Sequence, residues 1–343
     1  MQKTYDVVAI GNAIVDVLAQ TNDQILATLG VNKGTMTLVD EKRAVELYRQ
    51  MGLAIEMSGG SAANTAFSVS ALGGKVGYIG KVADDQLGQV FRHDMRSSGV
   101  AFETPALAQD RNIPTARCLS FVTSDGERSM CTYLGACVEI TTADIDLEMV
   151  KAAKVTYLEG YLFDRDSGKD AFRLAAKTAL AAGQKVALTL SDPFCVERHR
   201  EDFKAFISSS VSILFANQKE ICALCEVDTV DEAIEKMKGQ CEVLVITQGS
   251  KGARIVTATE DVLSPCAKVD KVVDTTGAGD SFAAGFLYGY TQGMTMSESA
   301  DLGNRLAAIV IGAMGARPQT DIKVLLKDRS SAQCASAKSG FTP

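Results

Sequence analysis

From Lys154 to Thr247 the chain alternates short apolar runs with stretches of helical spacing, and this rhythm restricts the fold more than any other feature. Strand-like runs at 154–158, 185–190, 213–216 and 243–247 are separated by helical patterns at 169–182, 200–208 and 230–237. Apolar runs without polar alternation suit strands buried on both faces, and consecutive parallel strands need a crossover, usually a helix. Repeated βα units therefore predict an α/β fold: a mostly parallel sheet with helices on both sides. Near the start, Val7-Val8-Ala9-Ile10 is a further buried strand that ends in Gly11 and Asn12, the way a strand delivers its carboxyl end to a ligand crevice.

Two regions break the rhythm. Thr35 to Asp40 alternates like a more exposed strand and leads into a helical pattern at 41–51. Farther on, 117–122 and 129–134 flank Ser124-Asp125-Gly126-Glu127, a hairpin signal with Asp-Gly at the turn. Together they predict a small separate sheet over one edge of the core, either a lid or a structural flap. The expected organisation is one α/β unit over 1–328, with segments 13–42 and 101–137 contributing the small β lid. A flexible tail rich in Ser, Ala and Lys is expected over 329–343.

Composition narrows the function classes. The 35 Lys and Arg against 42 Asp and Glu give a net charge of −7 with no long basic stripe, which argues against nucleic acid as a partner. No apolar run reaches the length of a membrane span, and Met1 to Ala9 lack the pattern of a secretory leader, so no membrane partner is expected and a cytoplasmic location is. The nine cysteines, among them Cys118, Cys131, Cys137, Cys241 and Cys266, lie scattered in apolar segments, as buried free thiols do in a reducing compartment. Cys222 and Cys225 have Cys-x-x-Cys spacing, but there is no second pair and only two histidines, His93 and His199, so a structural zinc is disfavoured.

Three motifs carry chemistry. In Asp274-Thr275-Thr276-Gly277-Ala278-Gly279-Asp280 small residues precede an apolar helix, so consecutive backbone N–H groups at a helix start can cradle a phosphate. A carboxylate in such a cradle repels the anion unless it has a task. Asp280 either accepts a hydroxyl proton as a phosphoryl group moves or simply caps the helix. In Ser58-Gly59-Gly60-Ser61-Ala62-Ala63-Asn64 two glycines allow close backbone approach, and Asn64 can donate and accept as sugar hydroxyls require; a plain turn is the alternative. Gly11-Asn12-Ala13-Ile14-Val15-Asp16 sets an amide and a carboxylate just after the first strand, suited to a diol or to a cap.

These motifs resemble the two signatures of the ribokinase-like family of carbohydrate and nucleoside kinases, over roughly Tyr5 to Pro318. The resemblance implies a three-layer α/β/α sandwich with a small β-sheet lid, ATP as phosphoryl donor, Mg2+, and a small-molecule nucleoside or sugar as acceptor. It implies that Asp280 is the catalytic base, that Gly277, Ala278 and Gly279 form the anion hole, and that Arg128, in Gly126-Glu127-Arg128-Ser129, approaches the phosphoryl group. Asn12, Asp16, Gly59, Gly60 and Asn64 would meet substrate hydroxyls. Asn217 and Glu220 resemble an Asn-x-x-Glu element serving magnesium through water, while Thr247, Gly249 and Gly252 resemble a loop that holds ATP. A monovalent cation, K+, would involve Asp274, Thr276 and Gly315.

Within the family the chain looks more like the nucleoside-phosphorylating branch, with the 5′-hydroxyl of adenosine as the expected acceptor. Leu190-Ser191-Asp192-Pro193-Phe194 resembles a stretch whose aromatic residue lines a base pocket, and Phe194 and Tyr161 are the expected lining. Asp192 departs from the pattern by placing a charge beside that pocket, and Tyr161-Leu162 stands where an aromatic pair is familiar. Guanosine, inosine, ribose or fructose stay open as acceptors, as does a non-catalytic ligand-binding role. No P-loop and no dinucleotide fingerprint is present. Monomer and homodimer are both compatible with the sequence.

Overall fold

The computed structural model describes residues 4–326; the tail expected over 329–343 lies outside them. The strands, in chain order, are β1 (Tyr5–Ile10), β2 (Ile14–Gln20), β3 (Met36–Leu38), β4 (Ala54–Gly59), β5 (Val76–Ile79), β6 (Val100–Phe102), β7 (Ala116–Val122), β8 (Arg128–Tyr133), β9 (Ala153–Glu159), β10 (Lys185–Thr189), β11 (Ile213–Asn217), β12 (Val243–Thr247), β13 (Ala253–Thr257) and β14 (Asp261–Ser264). Nine of them form a sheet in the order β14-β13-β12-β11-β10-β9-β1-β5-β6. It is parallel from β12 to β6, and β13 and β14 add an antiparallel edge.

Period-two alternation divides this sheet between two cores. Val7, Ala9, Val155, Tyr157, Ile213 and Phe215 face the helices 61–71, 278–291 and 296–311. Val8, Ile10, Leu158, Leu188, Leu214 and Ile246 face the helices 166–181, 193–210, 218–225 and 230–237. Burial on both faces is the reason these strands read as continuous apolar runs. The result is the ribokinase-like three-layer sandwich. Among the described residues no helix is long and apolar enough to cross a membrane.

The second sheet has five strands in the order β3-β8-β7-β2-β4. Strands β7 and β8 form the hairpin expected from Asp125-Gly126, and β3 runs parallel to β8. Strand β4 lies outside the segments 13–42 and 101–137, and β6, inside the second of them, pairs with β5 in the large sheet. Aligned register places Asp16, Cys118, Thr132 and Leu38 side by side on neighbouring strands. Of the cysteines expected to be buried, Cys131 and Cys137 are, Cys118 and Cys241 are partly so, and Cys266 is exposed.

Candidate active site

Every parallel strand of the large sheet points its carboxyl end to the same side, and the site assembles there. Gly277 caps the helix 278–291 in the left-handed conformation, φ 74°, pressed against the backbone of Ala316, where a Cβ would overlap the Ala316 carbonyl oxygen. No side chain caps this helix, so its first turn is open to an anion. The Ala278 N–H is engaged by the Thr275 carbonyl at 3.2 Å. Of the three residues of the expected anion cradle, Ala278 is thus partly satisfied within the loop itself.

Asp280 does not act as a cap. Its Oδ1 accepts from the Ser61 hydroxyl at 2.6 Å and its Oδ2 from the Asn64 amide at 3.2 Å, both across the gap to the helix 61–71. Burial pushes its carboxyl above the ordinary aspartate range, while the bonds from Ser61 and Asn64 and the charge of Arg317 pull it back. A carboxylate held above the ordinary aspartate range accepts a proton more readily than a solvated one.

Two chambers meet at this carboxylate. One, about 300 Å³, is lined by Thr275 and Gly277 to Asp280 together with Asn217, Glu220 and Thr247. The other, about 400 Å³, is lined by Asn12, Asp16, Gly60 and Asn64 and by Tyr161, Asp192 and Phe194. They share only Ser61, Tyr161 and Asp280. The two chambers therefore adjoin at Asp280, beside Ser61 and Tyr161.

The second chamber is dense with polar contacts on its core side. Asn12 donates through Nδ2 to Glu159 at 2.9 Å, Ala62 N donates to the other Glu159 oxygen at 2.8 Å, and the Asn12 Oδ1 is buried without a partner. A buried acceptor left without a partner beside a cavity calls for a ligand or water O–H to satisfy it. Burial pushes Asp16 up to about 6 and Glu159 up to about 7. Gly59 leaves the room that the Asp16 carboxylate occupies, and a Cβ on Gly60, φ 96°, would overlap the Asn12 carbonyl oxygen. Glu159 escaped the sequence analysis, although a charged residue closing an apolar strand was visible there.

The small sheet adds the apolar Met36, Leu38 and Met130 beside Asp16, Cys118 and Thr132, and Phe194 on the same chamber is 71% exposed. Beside Phe194, Arg198 grips the two oxygens of Asp164 at 3.0 Å each. Asp192 caps the helix 193–210 through an oxygen that accepts from Cys195 N, which gives this departing residue a structural reason.

In the first chamber Asn217 and Glu220 form a reciprocal capping box. The Glu220 oxygens accept from Asn217 N at 2.8 Å and Asn217 Nδ2 at 2.5 Å, and burial pushes this carboxyl up to about 7. Gly249 and Gly252 line neither chamber; Gly252 is pressed against the Ser264 carbonyl where β13 and β14 adjoin. Arg128 lines neither chamber either: it is clamped to Asp274 at 2.8 Å. Asp274 also accepts from the backbone N–H groups of Thr276, at 3.0 Å, and Gly315, at 2.8 Å.

The profile of the pfkB family carbohydrate kinases matches residues 35–323. The chain belongs to the pfkB family. As a kinase it draws its phosphoryl group from ATP, and the two chambers joined at one carboxylate fit that chemistry. The adenosine kinase of Sinorhizobium meliloti is 48% identical, with a TM-score of 0.87 over 95% of this chain and 99% of that one. A Rhizobium etli protein named as a probable sugar kinase is 45% identical, with a TM-score of 0.88 over 96% and 99%. The adenosine kinase of Saccharomyces cerevisiae is 28% identical across 91% of this kinase and 96% of its own length.

Proposed function

We propose that this kinase transfers the γ-phosphoryl group of ATP to the 5′-hydroxyl of adenosine. The observation that carries the reading is the mixed lining of the second chamber: Asn12, Asp16 and Asn64 together with Asp280, and on the same cavity Met36, Leu38, Met130, Leu134 and Phe194. A free sugar uses the polar groups alone, whereas a nucleoside uses both kinds. The chamber's size is that of a small-molecule site. The name of the Sinorhizobium relative points the same way.

In this reading Asn12, Asp16 and Asn64 hold the ribose so that its 5′-oxygen lies at the junction. Asp280 takes the hydroxyl proton as that oxygen bonds to phosphorus and the bond to the departing ADP oxygen breaks. Gly277 and Gly279, with Ala278 once it releases Thr275, meet the charge on the transferred group. The small sheet acts as a lid that excludes water.

The oxygen donors of Asn217 and Glu220 suit magnesium, which would neutralise phosphate charge; both Glu220 oxygens are committed to Asn217, so Glu220 would reach the ion through water. Asp274 Oδ2 takes Arg128 and the Gly315 N–H while Oδ1 takes the Thr276 N–H alone, so a potassium ion at this carboxylate would have to share it with the Arg128 cation.

The experiment is ADP release from MgATP with adenosine, guanosine, inosine, ribose and fructose offered separately. Turnover on adenosine at the lowest concentration is expected. Turnover on a free sugar alone would replace this reading with the sugar kinase one, which the name of the Rhizobium relative favours.

A further inference from the structure

We propose that Arg317 is a positioning residue for phosphoryl transfer: its guanidinium fixes which way the Asn64 amide faces, and the amide in turn holds the Asp280 carboxylate toward the acceptor hydroxyl. The inference rests on Asp280 being the base.

Arg317 lies beyond the last long helix, in a stretch without periodicity, and is buried. Its Nε donates to Asn64 Oδ1 at 2.9 Å and its Nη1 to the Ser58 hydroxyl at 2.7 Å. Its Nη2 approaches Met95 Sδ at 3.8 Å, and the guanidinium stacks over the Phe67 ring at 4.5 Å. A guanidinium can only donate, so the Asn64 atom that meets it must be the carbonyl oxygen. The amide nitrogen is then forced toward Asp280 Oδ2, at 3.2 Å. Flipping the amide would set N–H against N–H on one side and oxygen against carboxylate on the other. With Ser61 holding Oδ1, both Asp280 oxygens are aimed by donors from a single helix.

The arginine also bears on the charge of the site. It is faced by Asp16 from β2, Tyr78 from β5, Asp94 from the helix 86–97 and Asp280 from the helix 278–291. Asp280 is faced in addition by Tyr157 and Glu159 of β9 and by Tyr161. Burial raises Asp280 and the guanidinium lowers it, so loss of the cation moves the base upward and leaves it protonated over a wider acid range. Through Ser58, at the end of β4, the same group ties the root of the small sheet to the aiming of the base.

The test compares wild type, Arg317→Met, Arg317→Lys, Asn64→Ala and the double variant Arg317→Met/Asn64→Ala, with Asp280→Asn alongside. Arg317→Met is expected to lower kcat by roughly 10²-fold, the scale of a misplaced catalytic group, with KM for ATP unchanged and the acid limb of the kcat profile moved to higher pH. Arg317→Lys should return the limb toward its wild-type position while recovering kcat only in part, because an ammonium keeps the charge but not the planar fork. The double variant should be no slower than Asn64→Ala alone.

Additive losses, or an unmoved limb with wild-type kcat, would overturn the role of Arg317. Where Arg317→Met is too unstable to assay, the Arg317→Lys profile carries the test, and a variant matching wild type in both kcat and limb overturns it as well. Near wild-type turnover by Asp280→Asn sinks the base assignment and this inference together; an inactive Asp280→Asn beside an unaffected Arg317→Met sinks this inference alone.

Discussion

The two walls of the acceptor chamber are built on opposite principles. On the core side Asn12, Glu159, Asn64 and Arg317 are buried and Asp280 is partly so, and each is held by hydrogen bonds, Asn12 with Glu159 and Asn64 with both Asp280 and Arg317. On the small-sheet side Met36 and Leu38 are 50% and 56% exposed and present flexible apolar side chains. Groups that move a proton need their direction set to within fractions of an ångström, which a satisfied polar network provides. Groups that cover a base need only area, and methionine adapts to whatever shape arrives. Chemistry thus sits on the rigid wall and discrimination on the yielding one.

The sharpest way to break this division is Asp280→Asn, which keeps size and polarity but cannot take a proton. A fall in kcat of about 10²- to 10⁴-fold is expected, with nucleoside binding retained by calorimetry; a variant near wild-type kcat would end the distinction. Gly60→Ala attacks the rigid wall through its backbone. The left-handed φ and the overlap with the Asn12 carbonyl should cost about 1–3 kcal/mol in stability, read as a lowered denaturant midpoint. On the yielding wall, Met36→Ala or Leu38→Ala removes contact area that is only half buried. KM for the nucleoside should rise about fivefold with kcat unchanged, and turnover of ribose, if detectable, should not respond. A matching loss of kcat would show that this wall also aligns the reacting groups.

The same contrast governs what was legible in the sequence. The strands β9 to β12 announce themselves because burial on both faces demands unbroken apolar runs. Strand β2 carries Asp16, which lines the site, and β4 carries Glu56, which accepts from the Tyr48 hydroxyl, so neither shows the apolar run of a buried strand. The loop at Gly277 and the carboxylate of Asp280 are local, and local order is what sequence displays. Arg317 is different in kind. Its partners Ser58, Asn64, Phe67 and Met95 lie more than 200 residues away in the chain, so only the folded sheet brings them together. Gly249 and Gly252 differ again: both have positive φ and lie outside the two chambers, Gly252 against the Ser264 carbonyl and Gly249 in open space.

Between β1 and β2 only Gly11, Asn12 and Ala13 intervene, and between β4 and the helix 61–71 only Gly60, which lies against the Asn12 carbonyl. The residues proposed to grip the sugar are therefore also the pivot on which the five-stranded sheet is hung. Strand β2 extends its seven residues from that pivot, roughly 20 Å at about 3.4 Å each. A ligand seated at that pivot touches the root of the small sheet rather than its rim, so the grip on the sugar and the placing of the roof depend on the same four residues, Gly11, Asn12, Ala13 and Gly60.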